Sequence, residues 1–350
     1  MRAMGEAHNQ GSFRAVEEAG MRGAAVVVLA GFGVFLLATG VLVRTYVAPA
    51  VVRAPTDIYK VQRLRAENAT YFDAGALRVR TGATVVATAT VRGDVEASGD
   101  DVAVWDMTTV IQDLDRGRLV DVATRRLAFD RRSGELVACC RAAVQDDTSV
   151  RQSGLGVFWP MDVRKRTYRM FDAQTRRTWP VVFKGVEDVG GVDAYRFELH
   201  VPPTKVPGEV PAVPARLLGA DGGGAVPVDR YHRGDAVFWV DPRTGAPVDQ
   251  RQRVRSTLRA RSGTGTLVVA DLELRTTPEG RTALAGTAND AAARVRLLET
   301  VVPLGAVALG AVLLAAGVVL DRRGARTRPR AAPPGDGAAR RLRPGTPGVG

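Results

Sequence analysis

Apolar residues follow two different rhythms along this chain. From Gly23 to Val43 the sequence reads GAAVVVLAGFGVFLLATGVLV without a charge, between Arg22 and Arg44. From Val301 to Leu320 it reads VVPLGAVALGAVLLAAGVVL, between Glu299 and Asp321-Arg322-Arg323. At about 1.5 Å of rise per helical residue, each run is roughly 30 Å long, the thickness of a bilayer core. Residues 23–43 and 301–320 are therefore expected to be transmembrane helices. Pro303 lies near the start of the second, where a missing N–H costs least. A cleaved leader is the alternative for the first run, because Ala48-Pro49-Ala50 has the form of a cleavage site. The run is longer than the roughly 7–15 apolar residues of a leader, and Arg44 interrupts the path to that site, so a retained anchor is the preferred reading.

Between the spans the period drops to two. Thr84 to Val91, Val102 to Ile111, Tyr195 to Val201, Ala236 to Val240 and Gly265 to Leu274 alternate and are rich in β-branched residues, which predicts strands. Three segments, Phe129 to Gly134, Phe171 to Arg176 and Val240 to Gly245, end an apolar strand with Asp and place Ser or Thr three residues on. The Asp side chain can cap such a turn, and Gly134 or Gly245 supplies the left-handed residue before the return strand, so hairpins are expected. At the second site Arg176 stands where Gly would serve. Residues 202–228 hold six prolines and Gly222-Gly223-Gly224, which reads as a long loop draped over the sheet with Leu217-Leu218 as its anchor. After Pro278-Glu279-Gly280 the pattern becomes helical, with Thr287 or Asn289 capping a helix over about 287–300 that runs into the second span. The expected fold is a membrane-anchored, mainly-β ectodomain between N- and C-terminal transmembrane helices, its strands antiparallel and forming a barrel-like or curved sheet.

Charge changes this picture by its location. The net charge is +12, from 49 Lys+Arg against 37 Asp+Glu in 350 residues. Residues 321–350 carry eight Arg and two Asp, a net of +6. A positive tail belongs on the cytoplasmic side, and two spans return the N-terminal tail, residues 1–22, to the same side. Residues 44–300 then face away from the cytoplasm with only a mild positive excess, too thinly spread for a nucleic-acid surface. The tail itself, rich in Arg, Pro and Gly, is expected to be disordered and to meet anionic membrane lipid.

Candidate chemistry is sparse. Cys139 and Cys140 are adjacent on a predicted strand, whose alternation would point the thiols to opposite faces. A vicinal disulfide at a strand end and two inert thiols both remain open, with a metal or redox role as a third reading. His200 and His232 have no spacing that would gather a metal site with them. No nucleophile elbow, zinc-binding helix or phosphate-cradling glycine loop occurs, so no catalytic residue and no cofactor is assigned. Aromatic residues are more suggestive. Phe158, Trp159, Tyr168, Phe171, Trp179, Phe183, Phe238 and Trp239 gather between residues 158 and 239, as core or as the lining of an apolar cavity.

The segments DRRSGELVACC (Asp130 to Cys140), GLGVFWPMDVRKRTYRMFD (Gly154 to Asp172) and VFWVDPRTGAPV (Val237 to Val248) resemble an actinobacterial two-span membrane family of uncharacterised function that carries the label PorA-family porin. The resemblance spans nearly the whole chain between and including the spans. In that family the paired cysteines are commonly followed by Gly, where this sequence has Arg141. A lipid-facing barrel would need apolar outward positions, and Gln250 to Arg255 cannot easily supply them. The arrangement is also similar to class B scavenger receptors, whose β-rich ectodomain between two spans ferries lipid. That similarity is one of architecture and carries no residues. The functional expectation is a cell-envelope protein that binds or transfers a lipid or other apolar molecule. The alternatives are a structural subunit pairing with a membrane-protein partner through small residues such as Ala306 and Gly310, and a porin.

Overall fold

The computed structural model describes the backbone of residues 3–219 and 223–326, and the side chains of residue 21 and of residues 23–219 and 223–323. Residues 327–350, most of the Arg-rich tail, lie outside the described residues. Two compact units emerge, each considered by itself. The first pairs α1 (Ala3–Leu42) with α4 (Val302–Arg326). Both carry strongly apolar stretches, with mean hydropathies of 2.7 and 2.4 over their best 18 residues. Small residues set how closely they approach. A Cβ added at Gly310 would stand 2.7 Å from the Gly33 carbonyl oxygen, and one at Gly40 would stand 2.9 Å from that of Pro303. Gly310 is thus occupied within its own chain by α1, and the Ala306 Cβ lies against Gly40.

The second unit, Val43–Val301, is built on one sheet. A π-helical turn, Val43–Val47, and α2 (Ala48–Val51) lead into β1 (Tyr59–Asp73), β2 (Arg78–Gly93), β3 (Val102–Asp113) and β4 (Arg118–Asp130). After the short β5 (Ala143–Val144) come β6 (Tyr168–Asp172), β7 (Arg177–Val189) and β8 (Val192–Lys205). A small pair, β9 (Val213–Pro214) and β10 (Ala225–Val226), precedes β11 (Val228–Val240), β12 (Pro247–Ala260) and β13 (Thr266–Thr276). Eleven strands form one antiparallel sheet in the order β5-β4-β3-β2-β1-β13-β12-β11-β8-β7-β6. The first long strand is therefore hydrogen-bonded to the last, Leu64 opposite Thr276, and the chain enters and leaves the sheet on neighbouring strands.

The sheet curves until its two edges meet at one level. Beyond β4 the backbone continues the ladder, with Leu136 N–H donating to the Gly154 carbonyl at 2.8 Å. Leu155 then bridges to β6, donating to the Arg169 carbonyl at 2.7 Å and accepting from Phe171 N–H at 2.8 Å. Strand bulges keep the apolar face inward along this curve. In β1 the buried set shifts from Leu64 and Ala66 to Ala69, Tyr71 and Asp73, across Asn68 at φ +56°.

The Asp-headed turns recur along the sheet. Asp130, Asp172 and Asp241 accept from backbone or hydroxyl groups two or three residues on, including Ser133 N–H at 2.7 Å, Thr175 N–H at 2.8 Å and Arg243 N–H at 3.0 Å. Asp73 and Asp113 do the same for Ala76 and Arg116. Arg176 takes the left-handed conformation, φ +55°, that Gly134 and Gly245 take in their turns. Two expectations need adjustment. The helix expected over 287–300 begins nine residues earlier, as α3 (Pro278–Arg296), because Thr277 caps it by accepting from Gly280 N–H at 3.1 Å with Pro278 at the first helical position. It ends at a second π-helical turn, Leu297–Val301. The segment 202–228 is not one loop. Pro202 and Pro203 belong to β8, beyond Leu199 where β7 last pairs with it, so their missing donors break no ladder on that side. Its second half folds into β9, β10 and a 3-10 turn, Ala215–Leu218, whose Leu218 packs with Val228, Leu258 and Leu267.

Candidate functional site

The aromatic residues expected to lie together divide between two packed clusters and the sheet's other surroundings. Trp159, only 2% exposed, stands 4.7 Å from Phe197 and under 6 Å from Tyr168 and Phe238, ring centre to ring centre. Phe183 packs on the edge of that group. Phe158 stacks on Phe129 at 5.5 Å beside Trp105, in a cluster that also holds Phe171. Trp179 donates its indole N–H to Thr175 Oγ1 at 3.0 Å. Trp239 donates to Glu187 at 2.7 Å and packs towards Val189, Val248 and Ala285. Edge-to-face contacts and buried area of this kind are core energetics.

Cys139 and Cys140 are joined in a disulfide between neighbours. The pair lies in a turn, not a strand, with Cys140 and Arg141 both at φ +58°. Glycine at 141 would adopt that conformation without strain. The Cys140 carbonyl accepts from Arg126, whose guanidinium also binds Asp94 at 2.6 Å and Asp106 at 2.7 Å.

Two concavities matter on the sheet. The larger, about 740 Å³, is an open groove lined by both signs of charge, with His200 Nδ1 2.5 Å from Asp235 and Lys184 3.9 Å from Glu198. The smaller, about 300 Å³, lies where the two sheet edges part. Met107 and Thr109 of β3 and Ala123 and Arg125 of β4 form one wall; Val144, Val157, Ala173, Val206 and Pro207 form the apolar remainder, with Arg230 of β11 opposite. Neither His232 nor any of the eight aromatic residues expected as cavity lining is among the residues around it.

The polar groups at this cavity are poorly matched. Arg125 spends its Nε on Gln152 Oε1 at 2.9 Å and lies 5.0 Å above the Phe171 ring, leaving Nη2 buried without a hydrogen-bond partner among the described residues. Burial lowers its pKa to about 10, against the opposing pull of Asp172. Arg230 reaches Ser256 Oγ at 3.5 Å through one nitrogen, and its buried Nε is likewise without a partner. His232, 4% exposed, leaves Nδ1 unpartnered and holds Nε2 3.9 Å from Asp172. Burial lowers the His232 pKa; Asp172 raises it and Arg230 lowers it further. Sequence reasoning did not mark Arg125 or Arg230, because arginines alternate on both faces of these strands and only register shows which turn inward.

Among the described residues no group of three or more His, Cys, Asp or Glu could hold a metal ion. No curated protein matches the chain. The family model described as Porin PorA matches residues 25–319, covering both apolar helices' central stretches and all of the sheet. With its β-rich unit and two long apolar helices, this chain belongs to the PorA porin family and is a membrane protein.

Proposed function

We propose that the β unit stands outside the membrane, anchored by α1 and α4 with both termini cytoplasmic, and binds a lipid or other apolar envelope molecule. The observation that carries this reading is the cavity of about 300 Å³ between the parting sheet edges, walled by Met107, Ala123, Val144, Val157, Ala173, Val206 and Pro207. That volume is at the lower end of small-molecule sites, enough to seat the end of a chain rather than a whole lipid. The residues on the sheet's outer face argue against the strands as the membrane-crossing element. Arg63, Arg65, Arg251, Arg253, Arg255 and Arg275 are exposed there, each costly against hydrocarbon. The apolar helices are the better candidates for crossing.

Native mass spectrometry of the full-length protein, extracted in a neutral detergent and exchanged exhaustively, tests the reading. A retained envelope lipid at about one per chain is expected. A spectrum of bare protein, together with steady conductance of the purified protein in planar bilayers, would replace this reading with that of a pore.

A further inference from the structure

The cavity wall carries more positive charge than its own carboxylates balance. Arg125 and Arg230 face it from β4 and β11, each with a buried nitrogen that has no partner among the described residues. Asp172 is the carboxylate whose charge acts on both Arg125 and His232; its Oδ2 accepts from Thr175 N–H at 2.8 Å and Thr175 Oγ1 at 2.5 Å, and its Oδ1 lies 3.9 Å from His232 Nε2. Arg176, also on the wall, is committed to Asp147 at 2.8 Å. Asp121 lies at the exposed mouth, where its Oδ1 accepts from Val122 N–H. Gln145 and Gln174 complete the polar lining.

Arg125 and Arg230 are half-buried, and in each an N–H closed off from water has no hydrogen bond in return, a cost that a bound anion reaching it would offset. Arg125 Nη2 and Arg230 Nε are the donors at this cavity without a partner among the described residues, and planar forks suit phosphate or carboxylate oxygens. The apolar remainder of the wall, from Val144 to Pro207, suits a short stretch of hydrocarbon attached to that anion.

We propose that Arg125 and Arg230 form an anion-recognition site that holds the phosphate or carboxylate head of the bound molecule, with its apolar part against Val144, Val157, Val206 and Pro207. This rests on the cavity being the ligand site, and it names the class of ligand: an anionic amphiphile.

The test uses the full-length protein in nanodiscs of zwitterionic lipid and isothermal titration with hexyl phosphate, inorganic phosphate and hexanol. Hexyl phosphate is expected to bind more tightly than either of the others. Arg125→Gln and Arg230→Gln should each weaken it about tenfold or more, as removal of a charge-assisted hydrogen bond does. Arg63→Gln, on the opposite face, should leave it unchanged, and Arg125→Lys should recover part of the loss. Near-ultraviolet circular dichroism checks that each variant is folded; if Arg125→Gln is not, Arg230→Gln carries the test alone. Inorganic phosphate binding as tightly as hexyl phosphate, and equally sensitive to Arg230→Gln, would support the anion site and make a free anion the ligand instead of a lipid. Hexanol binding as tightly as hexyl phosphate, indifferent to both arginines, would overturn the anion site and leave an apolar ligand in place. Binding of none of the three would remove both readings.

Discussion

Two glycines in separate hairpin turns stand against the same stretch of backbone. A Cβ at Gly134 would lie 2.5 Å from the Phe158 carbonyl oxygen, and one at Gly245 would lie 2.5 Å from that of Pro160 and 2.7 Å from that of Trp159. Both glycines are left-handed, at φ +71° and +69°. Each Gly→Ala change therefore meets a steric and a conformational penalty, and a loss of more than about 2 kcal/mol is expected in chemical denaturation. An unchanged midpoint for either variant would show that the Phe158-Trp159-Pro160 strip can move aside. These turns were readable from the Asp-x-x-Ser/Thr-Gly pattern. Those at Asp73 and Asp113 were not, because Ala76 and Arg116 stand where Ser or Thr would have given the signal. His232 supplies a second prediction at this scale. Its folded pKa is below the unfolded value of about 6.5, so the unfolded chain binds more protons as the solution is acidified. Stability should fall as pH drops from about 7 through 6.5 and on toward the folded pKa, and His232→Gln should flatten that slope in melts recorded between pH 7.5 and 5.5. The carboxylates held below their usual range, Asp73, Asp113 and Asp130 among them, act in a separate window: their contribution is intact above about 3.8 and is lost only as pH falls from there through their folded values.

At the scale of elements, α1 and α4 illustrate how small residues replace the hydrophobic effect where both helices are apolar. A Cβ at Gly317 would lie 3.8 Å from that of Leu29, within the range a disulfide spans. In a background with the native cysteines replaced by Ser, Leu29→Cys with Gly317→Cys should form an internal disulfide on mild oxidation. Gly310→Val, placed against the Gly33 carbonyl, should sharply reduce its yield. Equal yields with and without Gly310→Val would mean that the helices do not depend on this approach. The existence of both apolar helices was plain from composition, since 20 uncharged residues in a row leave few alternatives. Their boundaries were less plain. The start of α3 at Pro278 hid inside a Pro-Glu-Gly sequence that also reads as a turn, and only the Thr277 cap distinguishes the two.

At the scale of the molecule, pairing β1 with β13 makes one sheet from the two ends of the segment between the apolar helices, so the chain enters and leaves the sheet on adjacent strands. β5 and β6 are left at the ends of the strand order; Leu136, Gly154 and Leu155 join β4 to β6 at one level, and the cavity opens elsewhere between the edges. The ligand readings above, retained lipid and anionic amphiphile, both depend on that parting of edges.

The sequence by itself determined what is local: two apolar runs long enough to span a bilayer, an alternating β-rich segment between them, and turns headed by Asp. Those follow from hydrogen-bonding needs and side-chain periodicity within a few residues. Which arginines turn inward, which aromatics meet, and where the sheet's edges separate were decided only by tertiary structure. A strand's inward face is fixed by its register against a partner, and a single bulge, such as the one at Asn68, exchanges the faces. Arg125 and Arg230 are 105 positions apart and lie on β4 and β11, far apart in the strand order; only the curvature of the whole sheet brings them to one cavity.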